Sequence, residues 1–414
     1  MNQIGWIDFS PSDRNKVKNV LALLAEPGTL DELGIGQIRD AYSDLLFPGI
    51  STIQTRAKYF ILVPRILRDY ERMSAYEKKR VGYAQAYLQK QENLIAQFLV
   101  EKNKDAVGII GSTAVHSGGV KRRPSAVYWN GLRTFEIVKT DLSLADFCRT
   151  IDRDDDSYGD GIETDDATDD KDVSRRNSLC KIPDRDPNWM ALPNLDLSLS
   201  KKEAQFLKDK ITGARGISNS VISQLLKSDL LDKVLASTDG IEDIDFDLLV
   251  EQVRLEKRID DRCKLNLTKA QEFSLAMEGP HILYNILLAR NNQHDEKLEL
   301  YEKEYRFWLD KVLAKNLFEA DNVRTWVDHL DSMGARISPS ARDFVIRFGQ
   351  LILQSANRVQ IEGCISKRSK QNKGDKSYLM RRLNNEGWVG MRRLTYRWGT
   401  ARNILRDIQG GLHA

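Results

Sequence analysis

The sequence lacks the features that mark secreted, membrane-spanning and metal-binding proteins. Its few cysteines are scattered: Cys148, Cys180, Cys263 and Cys364. This spacing excludes a disulfide framework and a zinc knuckle. No apolar run approaches the roughly 20 residues that cross a bilayer, and the N-terminus has neither the basic start nor the apolar core of a signal peptide. We therefore predict a cytoplasmic protein, and we predict no metal and no cofactor.

Catalytic motifs are also scarce. The chain has five histidines and no GxxxxGK[ST], GxSxG, HExxH or HxK motif. Two pairs approach the R-x(4–6)-H signature of HEPN-type ribonucleases: Arg290 with His294, and Arg324 with His329. The first pair lies on one helical face but is one residue short of that spacing, and the second lies about 140° apart on a regular helix. These four residues are weak catalytic candidates, and we favour a protein that is not an enzyme.

Helical periodicity covers most of the chain and predicts a mainly α fold. Apolar faces in residues 13–26, 38–46 and 51–62, with a glycine-containing turn before the third segment, are typical of a helix-turn-helix-like domain. Glycines between 108 and 119 predict short extended pieces, which would add a small β wing. Pro124 and Ser125 are expected to begin another helix.

Four S/T-x-x-E/Q patterns predict helix starts, because such a pair can satisfy two backbone donors that a helix leaves free. The four pairs are Ser51 with Gln54, Ser74 with Glu77, Ser200 with Glu203, and Thr268 with Gln271.

Charge is distributed unevenly although the net charge is only +3. Residues 151–172 carry eleven acids against one arginine and one lysine, and residues 363–414 carry twelve lysines and arginines against three acids. The acidic run has too little to bury for a stable core, so it predicts a solvated linker or insertion. We expect four regions: a helix-turn-helix-like domain with an optional wing (1–150), an acidic linker or insertion (151–194), a helical domain (195–362), and a basic loop with an amphipathic helix (363–414).

Two stretches predict contact with nucleic acid. On a helix over 51–62, an outward polar stripe would carry hydroxyl, amide and cationic groups suited to base edges and phosphates. Its members are Gln54, Thr55, Arg56, Lys58 and Tyr59. A contact site inside a protein complex and an ordinary solvated face are the alternatives.

The basic tail is the second stretch. SKRSKQNKGDKS is expected to be a mobile loop, and GMRRLTYRWGTARNILRDI an amphipathic helix. Phosphate neutralisation would fall to Lys367, Arg368, Lys370, Lys373, Arg392, Arg393 and Arg397. The alternative is that this basic surface docks onto the acidic insertion or onto a partner.

The opening GWIDFSPSDRNKV and the block FPGISTIQTRAKYF resemble an uncharacterised bacterial family with a WIDFS N-terminus and an FPG-x-STIQTRA-KYF motif. The similarity covers most of the chain, including PSAVYWNGL and the arginine-rich RWGTAR end. The resemblance implies a gene beside DEAD/DEAH-type helicases and phospholipase D-like nucleases in bacterial defence islands. It implies no catalytic residues.

Together these observations favour a non-enzymatic nucleic-acid-binding component of a bacterial anti-phage defence system. It would act with a helicase or nuclease protein of the same system, and we favour DNA over RNA as its ligand. A HEPN-like ribonuclease effector and a protein-only structural adaptor are the alternatives. The acidic insertion would cover the basic surface until nucleic acid displaces it.

Overall fold

The fold comes from a computed structural model that describes residues 31–102, 107–112, 122–152, 178–183, 189–190, 195–228, 230–237, 246–381 and 387–414. These ranges form sixteen α-helices and one sheet of two short antiparallel strands, β1 (Val138–Lys139) and β2 (Ser178–Leu179). The predicted mainly α fold is confirmed. None of the described helices is long and apolar enough to cross a membrane.

The helices vary widely in length. The first eight are α1 (Gly36–Leu46), α2 (Tyr59–Glu71), α3 (Ala75–Val81), α4 (Ala84–Lys102), α5 (Pro124–Thr134), α6 (Leu144–Asp152), α7 (Lys201–Gly213) and α8 (Val221–Lys227). The other eight are α9 (Leu231–Ser237), α10 (Phe246–Leu255), α11 (Asp261–Asn291), α12 (Asp295–Ala314), α13 (Ala320–Ser332), α14 (Pro339–Leu353), α15 (Arg358–Lys373) and α16 (Trp398–Leu412).

The described residues form two compact units. Unit I contains residues 31–42 and 267–396, and unit II contains the described residues between 43 and 266 together with 397–414. The boundaries of these units differ from the region boundaries that composition predicts near residues 150, 195 and 363. The expected domain boundaries stay a prediction.

Unit I is built around large aromatic side chains. The ring of Trp308 packs against those of Phe318 and Phe348, at centroid distances of 6.0 and 6.2 Å. The absence of a side chain at Gly279 permits this packing, since a Cβ there would lie 2.2 Å from the Trp308 ring. The indole N–H of Trp308 donates to the Leu275 carbonyl at 2.7 Å, so the buried polar atom is satisfied.

Unit II has its own aromatic core between α2 and α5. Phe60 packs edge-on against Tyr128 (4.8 Å) and contacts Phe135 (5.2 Å). Gly131 is required for this approach, because a Cβ there would lie 2.5 Å from the Gly49 carbonyl oxygen and 2.7 Å from the Phe60 ring. The predicted start of α5 at Pro124 is confirmed.

The helix-turn-helix prediction is wrong in its third element. Its first segment, residues 13–26, lies outside the described residues, and its second is confirmed as α1. Residues 51–58, however, form turns, and α2 begins only at Tyr59. Of the predicted wing, residues 107–112 form turns without a strand, and 113–121 lie outside the described residues.

The C-terminal predictions are also corrected. Residues 366–373, expected in a mobile loop, belong to α15. The expected amphipathic helix begins at Trp398, and the preceding Tyr396 and Arg397 have positive φ angles of 51° and 67°, which interrupt a right-handed helix. Most of the acidic run, residues 153–172, lies outside the described residues.

A buried carboxylate joins α4 to the first turn of α5 in unit II. Glu92 is 2% exposed, and its Oε1 accepts a hydrogen bond from the backbone N–H of Ser125 at 2.6 Å. Burial raises the pKa of Glu92 from 4.5 to about 7, while the bonds from Ser125 and the charge of Arg123 oppose that rise. The folded protein therefore binds a proton at Glu92 more tightly than the unfolded chain does.

This difference predicts a pH-dependent stability. Because the folded-state pKa is raised, protonated Glu92 contributes its full stabilisation below about pH 4.5. This contribution is lost as the pH rises through about 7. We expect Glu92→Gln, which keeps an acceptor but cannot ionise, to remove about 3 kcal/mol of pH-dependent unfolding free energy between about pH 4.5 and pH 8. Urea unfolding across this range measures it. Exposed Glu101→Gln on the same helix is the control, and equal pH dependence in both variants would contradict the assignment.

Candidate nucleic-acid interface

The segment predicted as a recognition helix lies in unit II, and its side chains already have partners there. Gln54 is 5% exposed and its amide donates to the Gly49 carbonyl at 3.0 Å. The Thr55 hydroxyl donates to the Gly108 carbonyl at 2.7 Å. Neither side chain belongs to an outward helical stripe.

Lys58, the N-cap of α2, forms a buried ionic cluster with Arg65 of the same helix and with Glu203, which is distant in sequence. Its Nζ lies 2.6 Å from Glu203 Oε2, and Arg65 Nη2 lies 3.2 Å from Glu203 Oε1. The Glu203 side chain is only 3% exposed. Two cations therefore replace the water that this carboxylate loses on burial.

Tyr128 and Asp407 hold the backbone just before α2. The Tyr128 hydroxyl accepts from the N–H groups of Thr55 (2.8 Å) and Arg56 (3.0 Å) and donates to the Arg56 carbonyl (2.8 Å). The Asp407 carboxylate accepts from the Arg56 side chain (2.9 Å) and from the Ala57 N–H (2.8 Å). Because these tertiary partners take the backbone donors, the predicted helix does not form over this segment.

The last residue of the predicted stripe, Tyr59, is also buried. Its hydroxyl oxygen accepts from the Ile110 N–H at 2.9 Å, and burial raises its pKa to about 12. We call the set that fixes this segment the polar clamp; it comprises Arg56, Lys58, Arg65, Tyr128, Glu203 and Asp407. Nucleic-acid contact by these residues stays a prediction. The prediction that they share an outward face of a helix is wrong.

The weak catalytic candidates all lie in unit I. The Arg290 guanidinium pairs with Glu362 through two contacts of 2.9 and 3.2 Å. The expectation that His294 shares a helical face with Arg290 is wrong, because α11 ends at Asn291 and His294 is the N-cap of α12.

The second candidate pair lies on α13, as expected. Arg324 is exposed, whereas His329 is half-buried, and burial, aided by the charge of Lys269, lowers the pKa of His329. Across the described residues, no group of three or more histidine, cysteine, aspartate or glutamate side chains is arranged to hold a metal ion.

A groove of about 610 Å³ lies between α14 and α15 in unit I. Each helix has a typical start: Pro339 occupies the first turn of α14, and Asn357 with Gln360 forms a capping box on α15. Residues of both helices line the groove: Ser340, Asp343, Phe344, Arg347, Leu351, Gln360, Gly363, Cys364, Lys367, Arg368, Gln371 and Asn372.

Three of the groove residues are cations and one is an acid. Arg347 on α14 and Lys367 on α15 are exposed, and neither has an ion-pair partner within the described part of the chain. Burial raises the pKa of the Cys364 thiol, and the charges of Arg347 and Lys367 oppose that rise. Both cations therefore lie within electrostatic range of the same thiol, on facing sides of the groove.

Arg368, a predicted phosphate ligand, instead has a structural role. It is 5% exposed and donates to the carbonyls of Leu33 (2.6 Å) and Gly34 (3.0 Å). Its guanidinium lies 5.6 Å from the centre of the Phe344 ring. Burial lowers the pKa of Arg368, and the charge of Asp31 partly opposes this effect. Arg368 thereby anchors residues 33 and 34 to α15.

The predicted lysines continue the positive charge along α15. Lys370 is exposed and Lys373 half-buried, and among the described residues neither has an ion-pair partner. With Lys367 they are spaced three residues apart, so they are neighbours on the helix surface and repel one another. Their position near the C-terminus of α15 is favourable, because the helix dipole is negative there.

The remaining predicted arginines are engaged elsewhere. Arg392 lies 4.1 Å from the centre of the Trp388 ring, and Arg393 lies 3.7 Å from the Glu278 carboxylate. Arg397 belongs to unit II, where it contacts the Asp44 carboxylate at 2.6 Å.

The chain belongs to a family of unknown function (DUF6361), whose model matches residues 1–410. The resemblance to an uncharacterised family is thus confirmed. No curated protein and no solved structure gives a significant match.

The polar clamp yields a prediction about stability. Lys58→Met leaves the buried Glu203 carboxylate with Arg65 alone, so we expect the free energy of unfolding to fall by about 3 kcal/mol. Urea denaturation measures this loss. Lys201→Met, at an exposed position on α7, serves as the matched control. A Lys58 variant as stable as this control would show that the clamp does not hold unit II together.

Proposed function

We propose that this protein is a non-enzymatic nucleic-acid-binding protein, and that the α14–α15 groove and the basic half of α15 hold the phosphate backbone. One observation carries the proposal. Arg347 and Lys367 face the same groove from two helices, are exposed, and have no ion-pair partner among the described residues.

Uncompensated cations that converge on a groove favour an anionic ligand. Two phosphate oxygens can replace the carboxylates that these side chains lack, and release of counterions from the nucleic acid adds a favourable term at low salt. The apolar floor formed by Phe344 and Leu351 suits a ligand that carries sugar and base groups beside its charges.

The row of lysines on α15 favours a polymer over a single nucleotide. Helical rise places Lys373 about 9 Å beyond Lys367 along the helix axis, farther than one phosphate group reaches. A chain of phosphates can neutralise Lys367, Lys370 and Lys373 in succession and relieve their mutual repulsion. We expect DNA to be preferred over RNA.

The resemblance to a family from bacterial defence islands supports a wider role. In this proposal, the chain brings nucleic acid to a helicase or nuclease protein encoded beside it, within an anti-phage system. The groove would bind the nucleic acid, and the partner would unwind or cleave it.

Fluorescence anisotropy with duplex DNA, single-stranded DNA and RNA tests the binding. For the Arg347→Gln/Lys367→Gln double variant, we expect affinity at about 50 mM salt to fall at least tenfold, and the slope of log affinity against log salt to fall by about 2. The matched control, Lys303→Gln/Lys315→Gln, removes two exposed charges, one on α12 and one at its C-cap, and should bind like the original chain.

Thermal unfolding of both variants verifies that they remain folded. An equal loss of affinity in the two double variants would indicate a non-specific charge effect and would contradict binding at the groove. Absence of binding to every nucleic acid at about 50 mM salt, where the electrostatic contribution is large, would contradict the proposed function.

A further inference from the structure

In unit II, a cysteine thiol and a lysine amine lie in direct contact. Cys180 Sγ is 2.8 Å from Lys210 Nζ, and both groups lie against the backbone carbonyl oxygen of Glu136, at 3.0 and 3.3 Å respectively. Cys180 is half-buried, and so is Lys210, so small molecules in solution can reach the pair.

Three elements fix this geometry. Cys180 directly follows β2, and its N–H donates to the Ile137 carbonyl at 3.0 Å. Glu136 has a φ of 52°, a left-handed conformation that is uncommon outside glycine, in the turn between α5 and β1. Lys210 extends from the last turn of α7. The contact therefore joins α7 to the β1–β2 ladder.

The surroundings of Lys210 favour a reactive pair. Within the described part of the chain, no carboxylate lies within ion-pair distance of its Nζ; the nearby groups are the Glu136 carbonyl, the Cys180 sulfur and the Phe206 ring, whose centre is 5.8 Å away. The sulfur and the amine nitrogen are therefore close enough for a single atom to bridge them.

We propose that Cys180 and Lys210 form a redox site at which dioxygen links the two side chains covalently, as Sγ–O–Nζ. The thiol loses its S–H bond and the neutral amine loses one N–H bond. One oxygen atom of O₂ forms bonds to sulfur and nitrogen, and the other leaves as water with the two hydrogens. Sulfur and nitrogen each give up two electrons, and the two oxygen atoms take up these four.

The product is a reducible restraint on unit II. It ties α7 to the β1–β2 ladder under oxidising conditions, and a thiol reductant restores the free cysteine and lysine. Cys148 and Cys263 are buried and have no such lysine contact among the interactions of the described residues, so they provide an internal comparison.

Intact-mass spectrometry of the full chain, purified in air, tests this proposal. We expect a species heavier by about 14 Da, the mass of one oxygen less two hydrogens, that disappears on treatment with dithiothreitol. Peptide mapping should find the residue 180 and residue 210 peptides joined. Cys180→Ser and Lys210→Gln should each lack the species, and circular dichroism verifies that both variants are folded.

Three results would overturn the proposal. They are absence of the heavier species after prolonged aeration, its persistence in Lys210→Gln, and oxygen addition of about 16 Da on Cys180 without a joined peptide, which is ordinary sulfenic acid formation.

Discussion

The buried carboxylate of Glu203, held between Lys58 and Arg65, is the contact on which the organisation of unit II depends. Removing a carboxylate from water costs several kcal/mol unless cations replace the solvent, and the contacts of 2.6 and 3.2 Å meet that requirement. The pair of cations fixes α2 against α7. Asp407 then fixes the backbone just before α2 from the side of α16. The polar segment that the sequence predicted as a recognition helix is consequently used to hold unit II together.

Unit I uses its charges differently. Arg347 and Lys367 in the α14–α15 groove have no ion-pair partner among the described carboxylates, and the lysines of α15 repel one another. A fold tolerates such an arrangement at the C-terminus of a helix, where the dipole offsets part of the repulsion. Exposed charge without a partner distinguishes a candidate binding surface from an internal polar network. By this criterion Arg347 and Lys367 are better candidates than the N-terminal block, residues 51–62.

Local patterns in the sequence predicted helix starts only where tertiary contacts did not compete. The capping boxes at Ser74 and Ser200 form as expected. Thr268 is no cap, because α11 has already begun at Asp261. At Ser51 only half of the predicted pair forms: the Gln54 side chain accepts from the Ser51 N–H at 3.3 Å. No helix follows, because distant residues take the next backbone donors. Arg347 could not be found at all from the sequence, since only the packing of α14 against α15 brings it to the groove, and no motif marks it.

Ultraviolet crosslinking of the intact chain to DNA and to RNA, followed by peptide mapping, tests the central claim most directly. If the polar clamp is internal and the α14–α15 groove binds nucleic acid, crosslinked peptides will come from residues 340–373 and none from 51–66. Crosslinks concentrated in 51–66 would restore the N-terminal block as the recognition element. Either that pattern or the absence of any crosslink in 340–373 would contradict the account.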